Sequence, residues 1–459
     1  MLTLTLSAIA HALGGELHGN DLSISAVSTD TRALSGGELF VALRGERFDA
    51  HDFIDQASAA AALLVERPLA AAQPQIVVKD TRVALGQLGQ LVRDKVNPKV
   101  AALTGSCGKT TVKEMLATIL GECAPVLATA GNFNNDIGVP LTLLRLTAQH
   151  RYAVMELGAN HEGEIAYTAS LVRPDVALIN NVAPTHLEGF GTVAGIARAK
   201  GEIYGALSAD GIAVVNRDDA FASDWLTSLA GRPVLTFGEH PQAQIRAADI
   251  VDRHDDGLAF TLLLPDDSVA VTVPLPGRHN VHNAMAAAAC ALALGVGADA
   301  IQRGLAKVQP VAGRMNIRPL ANRGRLIDDT YNASVGAVRA AIDALAGYPG
   351  RRVLVLGDLG ELGDKARYYH AELGHYAKAQ GIDNLFTVGV LSQAASDAFG
   401  LGSKHYQNKE TLVSEVVLAL GSETAPVSIL VKGARSSRME SVVDLIAAST
   451  LATPSEVAC

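Results

Sequence analysis

The sequence predicts an α/β protein of three domains, and three observations lead to this fold class. The chain has 459 residues, a length that corresponds to about two to four domains. From Val100 onward, short apolar segments alternate with longer amphipathic ones, which is typical of a parallel sheet covered by helices. The segment "PVAGRMNIR" (310–318) combines Pro, Gly and positive charge and indicates a hinge before a second α/β series. We therefore expect domains at residues 1–82, 83–312 and 313–459.

The first predicted domain is small and mixed in its elements. We interpret "ELFVALRG" (38–45) and "QIVVKD" (75–80) as strands, and residues 50–62 as a helix that runs into the strand "LLVERP". Asp80 is placed to cap the helix that follows, because its carboxylate can accept hydrogen bonds from the first free N–H groups.

The two larger domains follow a strand–helix alternation. The central strands are "KVAALTG", "RYAVMELG", "PDVALINNV" and "DGIAVVNRDD", with helices such as "KTTVKEMLATIL" between them. The segment "LAFTLLLPDDSVAVTVPLPG" indicates antiparallel strands around a turn, and an Ala-rich helix follows it. The last domain has the strands "GRLIDDTY", "RRVLVLGDL", "NLFTVG" and "VSILVKG".

Composition excludes several classes of protein. Hydrophobic residues make up 49% and charged residues 19%, as in a globular chain, and the net charge of −9 argues against a general nucleic-acid binder. The four cysteines form no C-x-x-C pair and no zinc-type cluster, so we expect reduced thiols. The N-terminus lacks a signal-peptide pattern, and the most apolar run (284–296) is too short to span a bilayer. We expect a cytoplasmic monomer without nucleic-acid or membrane partners.

A short phosphate-binding loop follows the first central strand. The segment "LTGSCGKTT" ends as such loops do, although Leu103 stands where the common G-x-x-x-x-G-K-[ST] pattern has its first Gly. A strand before it and a helix after it would aim backbone N–H groups and the positive helix end at a polyphosphate. An ordinary strand–turn–helix joint is the alternative. The nucleotide reading predicts a central P-loop-type sheet in which Lys109 reaches the phosphates, Thr110 binds Mg²⁺, and the loop is completed by Gly105, Ser106, Cys107, Gly108 and Thr111.

Polar residues follow the neighbouring central strands, where ligands collect at the carboxyl ends of a parallel sheet. Glu156 ends one strand, His186 comes just after the next, and Lys200 lies on the following helix. These are candidate metal-site residues, and with Lys109 they are the predicted catalytic set. A buried lysine usually forms a salt bridge. Alternatively, its neutral amine reacts with CO₂ to give a carbamate, an anionic metal ligand, and the residues alone leave both open.

The ordered motifs "TGSCGKTT", "MELGAN", "APTHLEGFG", "AKGEIY", "GRHNVHNAMAAAA" and "AGRMN" resemble those of the ATP-dependent Mur ligases, which build the peptide stem of peptidoglycan. The resemblance covers nearly the whole chain, and the short loop is that family's form. It implies a Rossmann-like C-terminal domain, ATP and two Mg²⁺ ions. One ion would be bound by Thr110 and Glu156, the other by His186 and a carbamoylated Lys200, so the resemblance favours the carbamate.

Within the family, the segments "STDTRALSGGELFVALRGERFDAHDF", "GNFNNDIGVPLTLLRL", "DDTYNAS", "VLGDLGELG" and "VKGARSSRME" resemble the branch that adds D-alanyl-D-alanine to UDP-N-acetylmuramoyl-tripeptide. The D-N-P-R motif of the diaminopimelate-adding branch is absent from the sequence. The resemblance implies activation of a carboxylate as an acyl phosphate, attack by the dipeptide amine, and closure of the last domain about the hinge at 310–314.

The resemblance also implies which residues contact each substrate. Those implied for the nucleotide are Asn280 and Asn283 at adenine, Arg314 at phosphate and Asp329 at ribose. Those implied for the peptide substrates are Ser28, Asp30, Arg32 and Arg47 near the uridine diphosphate, Asn134 and Asn135 near the muramoyl part, and Tyr331, Asn332 and residues 432–438 near the dipeptide.

Other functions stay open at this point. A diaminopimelate- or lysine-adding Mur ligase and a folylpolyglutamate synthase share the acyl phosphate chemistry, although a folate enzyme has no use for a uridine-binding domain. A slow ATP-hydrolysing switch would release phosphate without needing both substrates. A nicotinamide dehydrogenase would carry G-x-G-x-x-G after a strand, and the spacing of Gly357, Gly360 and Gly363 does not match it.

Overall fold

A computed structural model describes residues 1–185, 187–449 and 451 and confirms an α/β fold with several sheets. The first 80 residues form a small five-stranded sheet of order β2-β7-β6-β5-β4 and a two-stranded β1-β3 ribbon. Their elements are β1 (Leu4–Thr5), α1 (Leu6–Leu13), β2 (Glu16–His18), β3 (Ser23–Ile24), β4 (Val27–Ser28), β5 (Leu39–Val41), β6 (Ala62–Val65) and β7 (Gln75–Val77), with 3₁₀ segments at Thr31–Ala33 and Ala50–Ala57.

The predicted helix over residues 50–62 is wrong in type and length. The segment is a 3₁₀ helix over Ala50–Ala57, with non-helical backbone at Phe53, and β6 begins at Ala62. Helix α1 was missed by the sequence analysis. It is short, its N-cap Thr5 accepts a hydrogen bond from the Ala8 N–H, and it ends at a left-handed Gly14.

The central region contains a six-stranded sheet of order β13-β12-β11-β8-β10-β9, and all of its pairs are parallel. As predicted, Asp80 caps the helix before it, accepting from the Arg82 and Val83 N–H groups. The elements are α2 (Thr81–Val96), β8 (Lys99–Thr104), α3 (Lys109–Gly121), β9 (Val126–Ala128), α4 (Gly138–Leu143), β10 (Tyr152–Glu156), α5 (Glu164–Val172), β11 (Val176–Ile179), α6 (Leu187–Phe190), α7 (Val193–Gly205), β12 (Ile212–Asn216), α8 (Ala222–Ser228) and β13 (Val234–Phe237).

An antiparallel sheet and two helices complete this region. The predicted pair of antiparallel strands is confirmed as β15 and β16, with β14 added at the edge. The elements are β14 (Arg246–Asp252), β15 (Leu258–Leu263), β16 (Ser268–Val273), α9 (His279–Ala293) and α10 (Ala298–Ala306), with a 3₁₀ segment at His254–Asp256.

The C-terminal region has a second six-stranded sheet, of order β17-β18-β22-β19-β20-β21, in which only the edge strand β17 is antiparallel. All four predicted strands are confirmed. The elements are β17 (Asn316–Pro319), β18 (Arg325–Asp329), α11 (Val335–Ala346), β19 (Arg351–Gly357), α12 (Ala366–Ala379), β20 (Asn384–Val388), α13 (Gln393–Phe399), β21 (Ser403–Tyr406), α14 (Lys409–Leu420), β22 (Val427–Lys432) and α15 (Glu440–Ala447), with 3₁₀ segments at Gly363–Lys365 and Arg435–Ser437.

Both large sheets are buried on two faces, which explains why their strands are apolar throughout. Along β8, Val100 and Ala102 pack into one hydrophobic cluster, whereas Ala101 and Leu103 pack into another. Strand β19 divides its side chains between two further clusters in the same way. Within the described residues, no helix is both long and apolar enough to cross a membrane.

The strand order places one edge of the central sheet at the candidate site. Strands β8, β10 and β11 are neighbours and run in the same direction, so their carboxyl ends, with the loops that follow, lie together. The domain boundaries at 82 and 312, and the ligand assigned to each domain, stay predictions.

Candidate active site

The phosphate-binding loop connects β8 to α3, as predicted, and its glycines are required by close packing. Gly108 has a φ of 77°, and a Cβ on it would lie 2.4 Å from the Asn283 side-chain oxygen. Gly105 has a φ of 156°, and a Cβ there would lie 3.0 Å from the Asn180 Cβ. A side chain at either position would push the loop away from the residues that hold it.

Two asparagines that the sequence analysis did not single out clamp this loop. The Asn181 side chain pairs with both backbone groups of Cys107, accepting from its N–H at 2.8 Å and donating to its carbonyl at 3.1 Å. Asn180 donates to the same carbonyl at 2.9 Å and to Asn283 Oδ1 at 3.2 Å. These hydrogen bonds hold the loop backbone at Cys107. The adjacent polar pair directly after the apolar strand "VALI" was the available signal.

Lys109 begins α3 and points back into the loop. Its Nζ donates to the Gly105 carbonyl oxygen at 2.7 Å. Burial lowers the pKa of the Lys109 amine, and the nearby Glu156 carboxylate opposes that shift. The amine is therefore held where an anionic ligand could replace its single carbonyl partner.

Glu156 is the last residue of β10, and its two carboxylate oxygens differ in their hydrogen bonding. The side chain is 2% exposed. Its Oε1 accepts from Asn134 Nδ2 at 2.8 Å, while Oε2 is buried and has no hydrogen-bond partner among the residues that the structure describes. A buried carboxylate oxygen without a partner is costly unless a cation or donor completes it. The site therefore fits a bound divalent ion.

Lys200 lies on α7 and is also 2% exposed. Burial, together with the nearby charge of Lys109, lowers the pKa of the Lys200 amine to about 7. In the described parts of the chain, no carboxylate forms an ion pair with it, so the structure does not provide the salt bridge considered from the sequence. Its amine faces the same cavity as Glu156.

The predicted metal-site residues are only partly described. His186 lies outside the described residues. Thr110, Glu156 and Lys200 line one cavity. Among residues 1–185, 187–449 and 451, no three His, Cys, Asp or Glu side chains come together as a metal site. The predicted donors differ from such a cluster, because they combine a hydroxyl, one carboxylate and a lysine.

The main cavity, of about 410 Å³, lies between the central and C-terminal regions. On the C-terminal side the Arg314 guanidinium stacks over the Tyr331 ring at 4.5 Å, and its Nε is buried with no hydrogen-bond partner in residues 1–185, 187–449 and 451. Cys107 Sγ and Ser334 Oγ meet across the boundary at 3.1 Å. The predicted residues that line this cavity are Ser106, Cys107, Gly108, Lys109, Thr110, Asn134, Asn135, Glu156, Lys200, Arg314, Tyr331 and Asn332.

A second cavity of about 330 Å³ adjoins the other side of the loop and is more apolar in its lining. Asn280 and Asn283 line it in a chain of amides, in which Asn283 Nδ2 donates to Asn280 Oδ1 at 2.9 Å. Asp329 also lines it, but its carboxylate is paired with the buried Lys432 at 2.5 Å. The predicted residues brought to this cavity are Cys107, Gly108, Thr111, Asn280, Asn283, Arg314 and Asp329.

Three predicted substrate contacts are also engaged within the protein. Asn134 is bonded to Glu156, and Asn135 Oδ1 accepts from the Gly138 N–H at the start of α4. Asn332 Oδ1 accepts from the Ala333 N–H. Asn134 therefore orients the carboxylate in addition to facing the cavity, which the sequence did not indicate.

The predicted uridine-side residues are not part of either cavity. All four lie in the N-terminal region, with Ser28 at the end of β4, Asp30 and Arg32 at the 3₁₀ segment that follows it, and Arg47 in an exposed bend. Arg32 forms an ion pair with Asp30 at 2.8 Å, and the side chain of Arg32 is 88% exposed. The hydrogen bond from Arg32 lowers the pKa of Asp30 to about 2.

The fold and site define a P-loop-type nucleotide-binding protein with an additional α/β region that contacts the loop. Three family models match the chain: "Mur ligase family, catalytic domain" at residues 23–93, "Mur ligase middle domain" at 103–291, and "Mur ligase, glutamate ligase domain" at 313–435. The chain belongs to the Mur ligase family.

Individual relatives match it from end to end. UDP-N-acetylmuramoyl-tripeptide–D-alanyl-D-alanine ligase of Escherichia coli K12 is 51% identical over 445 residues, covering 96% of this chain and 98% of the relative. A crystal structure of MurF from Acinetobacter baumannii superposes with a TM-score of 0.93 at 40% identity, covering 97% and 99% of the two chains. MurF ligase from Thermotoga maritima, solved in complex with ADP, has a TM-score of 0.82 at 28% identity, covering 92% and 96%.

Proposed function

We propose that the protein is an ATP-dependent ligase that joins D-alanyl-D-alanine to UDP-N-acetylmuramoyl-tripeptide, forming the pentapeptide precursor, ADP and phosphate. The observation that carries the proposal is the main cavity, where the phosphate loop and Lys109 face the open oxygen of Glu156 and a buried Lys200. The identity of 51% to a D-alanyl-D-alanine-adding ligase, over 96% of this chain, supports these two substrates. The ADP complex of a relative supports the nucleotide.

The proposed chemistry overcomes the low reactivity of a carboxylate, which is a poor electrophile for an amine. Transfer of the γ-phosphoryl group converts the carboxylate into an acyl phosphate with a good leaving group. In our proposal, Lys109 and Arg314 contact the phosphate oxygens and stabilise the charge that develops there. The dipeptide amine then attacks the acyl carbon, and phosphate leaves. Water must be excluded, because it would hydrolyse the intermediate.

A divalent ion fits the cavity because Glu156 Oε2 is buried and has no partner within the described part of the chain. Thr110 and Glu156 would hold one Mg²⁺, and Lys200 with His186 a second. Such ions would supply charge stabilisation to phosphate oxygens. The chain's own task is to keep Glu156 and Lys109 oriented in a site screened from water.

Lys200 is proposed to react with CO₂ and form a carbamate. Its pKa of about 7 leaves a large fraction of the amine neutral near neutral pH, and only the neutral amine reacts. The carbamate would convert a buried cation beside Lys109 into an anion, removing a like-charge repulsion. It would also supply the oxygen donors that an ammonium lacks.

The two peptide substrates would approach from different regions. The N-terminal residues Ser28, Asp30, Arg32 and Arg47 would hold the uridine diphosphate, and Asn134 and Asn135 would contact the muramoyl part. Tyr331, Asn332 and residues 432–438 would face the dipeptide. We propose that residues 313–459 close onto the central region about the hinge at 310–314, and that the protein acts as a cytoplasmic monomer.

The test is ATP-dependent phosphate release with UDP-N-acetylmuramoyl-tripeptide, with and without D-alanyl-D-alanine, followed by mass analysis of the product. We expect release that needs both substrates and a product larger by one dipeptide. Parallel reactions with UDP-muramoyl-dipeptide plus diaminopimelate or lysine, and with a folate plus glutamate, test the other ligases. Turnover confined to one of these, or phosphate release from ATP alone, would contradict the proposal.

A further inference from the structure

Lys113 is a buried cation that the proposed mechanism does not use. It lies on α3, one turn after Lys109, and is 2% exposed. Burying a lysine is costly unless its ammonium group is well bonded. Its Nζ donates to the Thr129 carbonyl oxygen at 2.6 Å and pairs with Glu114 Oε1 at 2.6 Å. The helix behind the phosphate loop is thus tied to the segment just beyond β9.

Thr129 connects this lysine to Glu156. The residue is 1% exposed. Its N–H, its hydroxyl oxygen and its carbonyl oxygen each form a hydrogen bond. Its N–H donates to the Val154 carbonyl at 3.0 Å, and its Oγ1 accepts from the Glu156 N–H at 3.0 Å. Its carbonyl oxygen accepts a hydrogen bond from Lys113 Nζ. Strand β9 ends at Ala128, so the hydroxyl replaces the ladder bond that a longer strand would have given to Glu156.

The same loop reaches Glu156 a second time. Five residues after Thr129, Asn134 donates to Glu156 Oε1, and its carbonyl accepts from the Gly158 N–H at 2.8 Å. Glu156 is therefore held at its backbone by Thr129 and at one carboxylate oxygen by Asn134. The remaining freedom of the side chain is small, and Oε2 is the atom left open.

We propose that Lys113 and Thr129 are positioning residues that fix Glu156 for the divalent ion bound with the nucleotide. The inference rests on the proposed function, because it assumes that Glu156 Oε2 contacts that ion. Lys113 acts indirectly. Its ammonium group donates to the Thr129 carbonyl, and so holds the residue whose hydroxyl accepts from the Glu156 N–H. Neither residue touches substrate.

The test replaces Thr129 by residues of nearly equal volume. Thr129→Val keeps the shape and removes the acceptor, whereas Thr129→Ser keeps the acceptor. Thr142→Val is the matched control, because Thr142 is also buried in this region but its hydroxyl donates to the Gly138 carbonyl of its own helix. Mn²⁺ binding to each protein at saturating ADP is followed by electron paramagnetic resonance, and thermal unfolding is recorded alongside. Lys113→Arg and Lys113→Met extend the series.

We expect Thr129→Val to weaken Mn²⁺ binding about tenfold, as loss of a group supporting a metal ligand does, while Thr129→Ser and Thr142→Val stay near wild type. The apparent KM for Mg²⁺ should rise in parallel, with kcat recovered at high Mg²⁺. Wild-type Mn²⁺ affinity in Thr129→Val would overturn the inference, including the case where only thermal stability falls. If the wild-type protein adds no Mn²⁺ binding to that of ADP alone, the proposed metal role of Glu156 fails instead.

Discussion

The nucleotide side and the uridine side of this molecule are built in different ways. Around the phosphate loop, polar side chains are buried or half-buried and bonded to other segments of the chain, as in the contacts of Asn181 with the Cys107 backbone and of Asn134 with Glu156. On the N-terminal side, Arg32 and Arg47 are exposed, and among the described residues the Arg32 guanidinium bonds only to its near neighbour Asp30. The first arrangement is preorganised, and the second is free to adapt. Substitutions should therefore affect the two sides through different kinetic constants.

Loss of the loop lysine should have the largest effect. Lys109→Met removes the charge beside the phosphates, and we expect turnover to fall on the order of 10³-fold. Lys99→Met, at the end of β8 far from the loop, is the control and should leave turnover unchanged. Steady-state ligation with both proteins, alongside circular dichroism, measures this. Near-normal turnover in Lys109→Met would remove the loop from the mechanism.

Lys200→Ala should reduce turnover on the order of 10²-fold, because the proposed carbamate would be lost from the site. Short carboxylates such as acetate or propionate should restore part of the activity by entering the space beside Lys109. Lys109→Met should show no such rescue. Full activity of Lys200→Ala without added carboxylate would exclude a role for Lys200 in catalysis.

The buried amine of Lys200 also predicts a pH dependence of stability. Its native pKa is about 7, below the ordinary value of 10.5, so between these values the unfolded chain binds the extra proton. Stability contributed by this group therefore rises with pH from 7 toward 10. Between pH 7 and 9, in CO₂-free buffer, the wild type should gain about 2 kcal/mol over Lys200→Met in denaturant unfolding. An unchanged difference between the two proteins would show that the amine is not desolvated.

Removing the hydrogen bonds from Asn181 to the phosphate loop should have an intermediate effect, and this effect should be confined to the KM for ATP. Asn181→Ala deletes two hydrogen bonds to Cys107, and we expect the KM for ATP to rise about tenfold with little change in the KM for the UDP substrate. Asn384→Ala, which loses comparable contacts with Gly402 and Arg351 in the C-terminal sheet, is the control. A rise in both KM values would mean that the clamp supports the fold rather than the nucleotide.

The uridine side should give the smallest effect. Arg32→Ala removes an exposed charge, so we expect the KM for the UDP substrate to rise about fivefold, and the effect should shrink at high salt. Arg318→Ala, which also breaks an exposed ion pair, is the control. An altered KM for ATP in Arg32→Ala would contradict the separation between the two sides.

The fold was largely predictable because its central strands are apolar on both faces and punctuated by helices. The type of helix that a short segment forms was harder to predict. The Ala-rich segment after Asp49 has helical composition, yet it forms a 3₁₀ turn that is interrupted at Phe53. The loop itself was predicted from its motif, since its glycines and Lys109 are adjacent in sequence.

The supporting contacts could not be predicted, because their partners are distant in sequence. Lys432 pairs with Asp329 across 103 residues, and Asn180 reaches Asn283 across another 103. A single sequence indicates that such polar residues follow strands, but it does not indicate which carboxylate each amine will bind. Only the strand order of the two parallel sheets brings these groups together.

The central claim is that a carboxylate is activated by direct phosphorylation at the main cavity. UDP-N-acetylmuramoyl-tripeptide labelled with ¹⁸O in its terminal carboxylate tests it most directly, with ATP, Mg²⁺ and D-alanyl-D-alanine present. An acyl phosphate route predicts one ¹⁸O atom in each inorganic phosphate released, read by mass spectrometry or by the ³¹P isotope shift. Phosphate that carries no label, formed while the pentapeptide accumulates, would contradict the account.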